Sequence, residues 1–358
     1  MSLRPGRRRN FFAAAAVAGG ALALPFGGAT PAVGTVGPAA AAPVLESTDA
    51  VALLEQAYVR SRNQTYHGVQ LVMIDNVTHY VGVSHVQGHT YLYAVGAGAG
   101  AEVYESSDAT PATSAADPLS KDPLALLEQH YRLTVLGADE VMGRPAVVVQ
   151  ALTSAGTVAA KFWVDEASSL VVRRDTFDAQ QNAYTRVCYT ELSVNAAAPA
   201  LAVRTTRSLA PSGTPKDAGQ LHAQGWWASP TLPGGLTLYD AREVGAGSAM
   251  LLHLSYSDGL STVSVFEQRG RLASGALPAG WTRVALPDGR VVVRAAGEPL
   301  RVAWQAHALV VAVIADVPPG AATPLMEALP YGPAPATHSM VVSRVSRGLH
   351  RIGTLLTP

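Results

Sequence analysis

Side chains able to do chemistry gather at a few places along the chain. His79, His85 and His89 fall close together. Clustered imidazoles are a starting point for zinc, but the ion needs three or four ligands, themselves oriented by further hydrogen bonds, and no nearby acid is placed to provide them. In a plain strand the even spacing of His79 and His85 puts both on one face. Two imidazoles on a solvated or pocket-facing strand account for that pattern without a metal. Glu102 with Glu105 and Asp165 with Glu166 are carboxylate pairs of the kind a glycosidase uses. Neither pair has a partnered base or nucleophile, so both read as turn and surface residues. Cys188, the single cysteine, has no activating pattern around it and reads as a strand residue.

Gly96-Ala97-Gly98-Ala99-Gly100 has the glycine spacing of a phosphate cradle. A dinucleotide site needs a helix after such a turn, and here strand-like Glu102-Val103-Tyr104 follows, which makes a hairpin tip the better reading. The chain has no G-x-S-x-G elbow, no H-E-x-x-H, no Walker loop and no C-x-x-C. The sequence therefore assigns no catalytic residue, no cofactor and no metal ligand. It points away from an enzyme and leaves the ligand-binding residues unknown.

The elements around these residues follow from periodicity. Val51, Leu53, Leu54, Ala57 and Tyr58 repeat at helical spacing behind Ser47-Thr48-Asp49, a capping cluster, and predict one helix ending before Asn63. Period two then takes over. Strands are expected at 66–74, 77–86, 90–95 and 101–105, with turns at Asp75-Asn76 and Gln87-Gly88. A Pro/Ala/Ser/Thr loop covers 110–122, and Pro123 opens a short helix to His130. A second strand series is expected at 132–136, 146–152, 158–164, 170–177 and 184–194. Hairpin-length turns without intervening helices predict an antiparallel sheet.

Leu209 to Gly219 is rich in Pro, Gly and Ser and reads as a linker. Seven further short strands between 236 and 315 and a helix from Pro319 to about Leu329 complete the body. The predicted fold class is α+β, mainly antiparallel β: an open half-barrel with helices over it, then a smaller antiparallel β/α domain. The expected divisions are an export signal or anchor at 1–41, a first domain at 44–205, a linker at 206–221, a second domain at 222–332 and a tail at 333–358.

Charge is distributed unevenly. Lys and Arg number 26, Asp and Glu 26, and charged residues make up only 15% of the 358. That is below the ordinary value of about 25% and excludes a strongly basic nucleic-acid binder. One apolar run, near 11–26, approaches the roughly 20 residues a membrane span needs, so a multispan membrane protein is excluded as well. Residues 1–41 hold four arginines and no acid, and 337–358 hold three and no acid, leaving 42–336 with 19 basic and 26 acidic residues, a net of −7.

Arg7-Arg8-Arg9-Asn10-Phe11-Phe12, the apolar run and the small residues ending at Ala42-Pro43 have the form of an export signal, twin-arginine in type, or of an uncleaved single-pass anchor. Either places the body outside the cytoplasmic membrane, in the periplasm or cell envelope. In the tail, Val341, Val345, Leu349 and Ile352 fall on one helical stripe, with Arg344, Arg347 and Arg351 on another. Such a segment suits either a membrane surface or docking on its own domain.

The ordered motifs resemble a known family. Thr65-Tyr66-His67-Gly68-Val69 follows the first helix, and His85-Val86-Gln87-Gly88 comes next. Gly143-Arg144-Pro145-Ala146, Phe162-Trp163-Val164-Asp165, Val172-Arg173-Arg174-Asp175 and Phe177-Asp178 then succeed one another. Trp226 with Pro230-Thr231-Leu232-Pro233-Gly234, Tyr256-Ser257-Asp258-Gly259-Leu260 and Ser264-Val265-Phe266 complete the set. Over roughly 48–330 this resembles the RseB/MucB family of periplasmic sigma-factor regulators, with a first domain similar to lipoprotein carriers of the LolA/LolB type. The resemblance implies a binding protein whose partner is the extracytoplasmic part of a membrane-bound anti-sigma factor. It would shield that partner from proteolysis, and envelope lipid would release the hold through an apolar cavity. A lipid or lipoprotein carrier without a regulatory partner is the alternative. No nucleic acid is expected, and the oligomeric state stays open.

Overall fold

The computed structural model describes residues 47–332 except 75–76, 87, 96–100, 108–122, 197–202, 209–213, 216–217, 246, 248–249, 273–276, 278–279, 287–288 and 298. The export segment 1–41, the glycine run, the 110–122 loop and the tail 333–358 therefore lie outside the described residues, as does most of the predicted linker.

Helix α1 (Ser47–Asn63) begins at the capping cluster and carries Asp49 in its first turn, where a carboxylate favours the helix dipole. Ala50, Leu54 and Ala57 form its buried stripe. Two strand series follow: β1 (Tyr66–Ile74), β2 (Val77–Val86), β3 (His89–Ala94) and β4 (Ala101–Ser107), then helix α2 (Pro123–His130), then β5 (Arg132–Val141), β6 (Arg144–Leu152), β7 (Val158–Asp165), β8 (Val171–Phe177), β9 (Ala183–Val194) and β10 (Val203–Ser208). They form one sheet in the order β10-β4-β3-β2-β1-β9-β8-β7-β6-β5. All neighbours are antiparallel except β10 and β4, which run parallel. The sheet is open, with β10 and β5 at its ends. The join that makes it one sheet is β1 against β9, from Tyr66 opposite Val194 to Ile74 opposite Thr185.

Alternation decides which face each helix covers. Leu133, Val135, Val149, Ala151, Ala160, Phe162 and Val164 project from β5, β6 and β7 against Ala50, Leu54, Ala57 and Leu127. This is the predicted half-barrel with helices over it. A two-residue turn at Met142-Gly143 joins β5 to β6 with both φ angles positive (56° and 72°), as a twisted hairpin requires. Gly143 takes that conformation without penalty, whereas Met142 carries a side chain there.

The second sheet has the order β11-β12-β13-β14-β18-β17-β16-β15, from β11 (Thr214–Pro215), β12 (Thr237–Val244), β13 (Leu251–Ser257), β14 (Thr262–Arg269), β15 (Trp281–Ala285), β16 (Val291–Ala295), β17 (Leu300–Ala306) and β18 (Leu309–Asp316). Helices α3 (Ala218–Ala223) and α4 (Ala322–Ala328) contribute Leu221, Leu325 and Met326 to its main core, with Trp226, Leu252, Leu254, Tyr256 and Trp304. The fold class is thus mainly antiparallel β in two sheets. Among the described residues no helix is long and apolar enough to cross a membrane.

Some local expectations are corrected. Strand β10 was not anticipated, because its Val-Arg-Thr-Thr-Arg-Ser run has no apolar alternation and its partner β4 lies about a hundred residues earlier. Between 206 and 221 the described residues form the end of β10, all of β11 and the start of α3.

Candidate functional site

The three histidines do not form a centre. His85 is completely buried: its ring stacks on Tyr66 at 4.9 Å, Nδ1 meets Thr90 Oγ1 at 2.9 Å, and Nε2 meets the Arg62 carbonyl at 3.2 Å. This corrects the solvated or pocket-facing reading. Its sequence opposite Tyr66 in the β1–β2 register, under the end of α1, makes it a core residue. Among the described residues no cluster of His, Cys, Asp or Glu is arranged to hold a metal.

Asp165 is likewise not a surface turn residue. It is 1% exposed, receives both arms of the Arg144 guanidinium at 2.9 Å, and accepts from the Ser168 amide at 2.8 Å and the Ser168 hydroxyl. Burial raises its pKa, but these donors outweigh that and hold the carboxyl below its ordinary value. The result is a clamp on the β7–β8 turn. Glu166 beside it is exposed, so the pair does not face a common substrate. Cys188 sits half-buried in β9, where burial pushes its thiol up and away from the reactive thiolate.

The first sheet carries a polar ladder on the face opposite α1. The Trp163 indole donates to Asp139 at 2.8 Å, and the Arg173 guanidinium lies 4.2 Å over the Trp163 ring. Arg173 and Arg186 both fork onto the buried carboxylate of Asp175 at 2.6–2.9 Å. A depression of about 140 Å³ beside this ladder is lined by Leu136, Asp139, Lys161 and Trp163, among others. Every charged group in the ladder is paired, so the arrangement orients side chains and offers no free base or nucleophile.

The other face, beyond the cover of the helices, holds a cavity of about 230 Å³ lined by Gln70, Val171, Val172, Arg174, Val187 and Tyr189. Register explains the convergence. Gln70 faces Tyr189 and Val72 faces Val187 across β1 and β9, and Arg174 faces Val187 across β8 and β9. A bulge at Trp163/Val164 brings both Val171 and Val172 to the lining. The three valines are apolar and Gln70, Arg174 and Tyr189 are polar, a mixed lining that can seat a ligand with both kinds of group.

This cavity lies near the meeting point of the two sheets. The Tyr131 hydroxyl at the end of α2 donates to Asp258 Oδ2 at 2.6 Å, and Leu260 packs into the α1–α2 core. Gly259 (φ 94°) has room for no side chain, because a Cβ there would strike the backbone and side chain of Leu127. Asp258 also folds its own hairpin by accepting from the Leu260 and Ser261 amides through Oδ1. Tyr184 is half-buried in β9, and its hydroxyl is pushed up to about 12 by desolvation, with the charges of Asp316 and Asp258 adding to the rise. The Tyr256–Leu260 motif is therefore both a hairpin and the second sheet's foot on the first.

The second sheet buries ionisable groups of its own. His253 stacks on Phe266 at 4.4 Å and meets Ser264 Oγ at 3.1 Å and Ser255 Oγ at 3.3 Å. Burial lowers the imidazole to about 4, which makes it a poor base at neutral pH, and Ser255 is itself buried. Glu267 is fully buried on the main-core side, accepts only the Trp227 amide at 3.0 Å, and is raised by burial to about 8. Sequence reasoning found none of Gln70, Arg174, Tyr131 or Asp316 as a junction residue. Arg174 stands in a quoted motif, but alternation alone does not tell the cavity face from the ladder face.

Comparison with known proteins follows this geometry. Residues 100–209 match the MucB/RseB N-terminal domain. Among solved structures, MucB aligns over 78% of this chain and 97% of its own at 20% identity (TM-score 0.48). The Pseudomonas aeruginosa MucA/MucB complex aligns over 80% of this chain and 100% of the matched chain at 22% identity (TM-score 0.48). An outer membrane lipoprotein-sorting protein domain from Vibrio parahaemolyticus aligns over 43% and 95% at 11% identity (TM-score 0.20). A search of curated proteins finds no match. The matched segment, residues 100–209, runs through β4 to β10 and is similar to the MucB/RseB N-terminal domain.

Proposed function

We propose that this chain is an exported regulatory protein that binds the extracytoplasmic part of a membrane-bound anti-sigma factor and modulates its proteolysis. The observation that carries the reading is the match of residues 100–209 to the MucB/RseB N-terminal domain, which takes in the whole β5–β8 hairpin series and two of the three cavity strands, β8 and β9. In the matching complex it is MucB that is held with MucA.

The division of labour follows the two sheets. We assign a first domain to 44–205, a connecting segment to 206–221, a second domain to 222–332 and a basic tail to 333–358. From 44 to 200 there are 9 basic and 17 acidic residues, a net of −8. Such a surface favours a basic partner segment and speeds the encounter. The apolar cavity at the sheet junction suits an acyl chain, so lipid there and partner binding would be linked through one equilibrium. The cavity alone is equally compatible with a carrier of the LolA/LolB type. The Asp258 foot of the second sheet favours regulation, since a carrier needs only the first sheet.

The test is capture of the purified ectodomain of the anti-sigma factor encoded beside the cognate sigma factor. Retention on the immobilised exported chain at micromolar concentration, weakened by added salt, is expected. Absence of retention defeats the regulatory reading.

A further inference from the structure

Glu267 lies on β14 inside the second sheet and is inaccessible to solvent. On the main-core face it belongs to one cross-strand row: Glu243 on β12, Leu252 on β13, Glu267 on β14, Val311 on β18 and Trp304 on β17. Its Oε2 accepts the Trp227 amide at 3.0 Å, and its Oε1 has no partner among the described residues. The polar groups around it are engaged elsewhere. The Tyr256 hydroxyl donates to the Ser229 carbonyl at 2.9 Å, and Glu243 accepts the Trp226 indole at 3.2 Å. Arg269, two residues on along β14, donates to the Gln224 carbonyl with its guanidinium 4.7 Å over the Trp226 ring. The titratable side chains of the helices packed on this core, His222 of α3 and Glu327 of α4, are exposed. A carboxyl in such a place is tolerated as the neutral acid, because ionisation would leave a charged oxygen with neither water nor cation.

Water can reach that oxygen in two ways. Parting the strands is costly, since β14 is paired from Thr262 to Gln268 with β13 and from Thr262 to Arg269 with β18. Lifting residues 218–229 costs less. They comprise the six-residue α3 and the irregular stretch before β12, with His222 to Gly225 exposed and only Leu221, Trp226 and Ala228 buried. We infer that residues 218–229 form a latch on the second sheet, kept shut by the neutral Glu267 carboxyl and opening locally, with the strands still paired, when Glu267 gives up its proton to water. Opening uncovers Trp226 and the core beneath it, an apolar surface that the closed latch hides. The inference goes beyond the proposed function and requires neither an anti-sigma partner nor a lipid.

Burial raises the carboxyl from its ordinary 4.5 to about 8. The closed state therefore keeps a proton that the open state releases. Opening is least below 4.5, grows by about tenfold for each pH unit between those values, and levels off above them.

The test is hydrogen exchange of the whole exported chain at about pH 5.5 and about pH 7.5, read by mass spectrometry and corrected for intrinsic rates. Protection of peptides within 218–229 is expected to fall by about tenfold per pH unit, and to lie below that of β13, β14 and β18 at both values. Glu267→Gln should abolish the fall, whereas Glu243→Gln, in the same row, should keep it. Protection of 218–229 that is unchanged between the two pH values overturns the inference. Protection equal to that of the three strands does so too, because Glu267 would then meet water only when the sheet unfolds. A fall that survives in Glu267→Gln, or disappears in Glu243→Gln, assigns the titration to another group and also overturns it. Should Glu267→Gln fail to fold, the comparison of latch and strands in the unaltered chain still decides.

Discussion

The two sheets hold their most deeply buried carboxylates in opposite ways. In the first, Asp165 and Asp175 are nearly inaccessible yet each faces a guanidinium fork, and both carboxyls sit below their ordinary pKa because those donors outweigh burial. In the second, the fully buried Glu267 and the part-buried His253 have no ion-pair partner among the described residues, and burial drives both toward the neutral form. The first sheet is open, and its paired carboxylates keep their charge because guanidinium forks reach them there. The second packs its main core with α3, α4 and Trp226, and Glu267 on that side has no such fork. The difference teaches that a buried carboxylate stays ionised where a cation is within reach and takes up a proton where none is.

The largest expected effect tests the paired half. Asp175→Asn leaves Arg173 and Arg186 facing each other across an uncharged amide, and should destabilise the first sheet by about 3 kcal/mol, allowing for arginines that remain partly solvated. Chemical denaturation followed at Trp163 measures it; a loss within error of zero removes the contrast. The same carboxylate gives a sign for pH. Its folded pKa is depressed, so its stabilisation is present above the unfolded value near 4 and is lost as pH falls through the lower folded value.

Glu267 reverses that sign. Its folded pKa is raised to about 8, so the folded state holds a proton that the unfolded state releases above about 4.5. Stability is full below that value and declines as pH rises toward 8. Glu267→Gln, which mimics the protonated acid, should therefore stabilise by roughly 2 kcal/mol at pH 8 and by little at pH 4.5. Thermal unfolding across that range decides; a pH-independent effect of the substitution defeats the assignment.

The smallest effect concerns the joint between the halves. Tyr131→Phe removes only the hydroxyl that reaches Asp258 and should cost about 1–2 kcal/mol. Its particular signature is a separation of the two sheets' unfolding transitions in calorimetry. Transitions that remain as closely coupled as in the unaltered protein would show that Leu260 and Gly259 on α2 suffice to hold the contact.

Much of the architecture was legible in sequence because it is local. Alternation marked β1, β2 and β6–β9 to within a few residues and the first half of β5, the 51–58 periodicity marked α1, and Asp258-Gly259 marked a hairpin. What was illegible depended on partners far along the chain. His85 looked like a polar strand residue until Tyr66 and the end of α1 closed over it. Asp165 looked like a turn residue until Arg144, 21 positions away, reached it. The parity of Arg173 and Arg174 says that they point to opposite sides, but not which side is the cavity.

By itself, then, the sequence determined the secondary elements, the antiparallel class, the acidic body between basic ends and the absence of recognisable catalytic motifs, since each depends on residue type and short spacing. Tertiary structure decided the β1–β9 join, the parallel β10, the burial of His85, Asp165 and Glu267, and the Tyr131–Asp258 contact between the sheets. Those features depend on which distant strand lies alongside and on how much water remains there, and desolvation and pairing are properties of the assembled neighbourhood rather than of any residue in the chain.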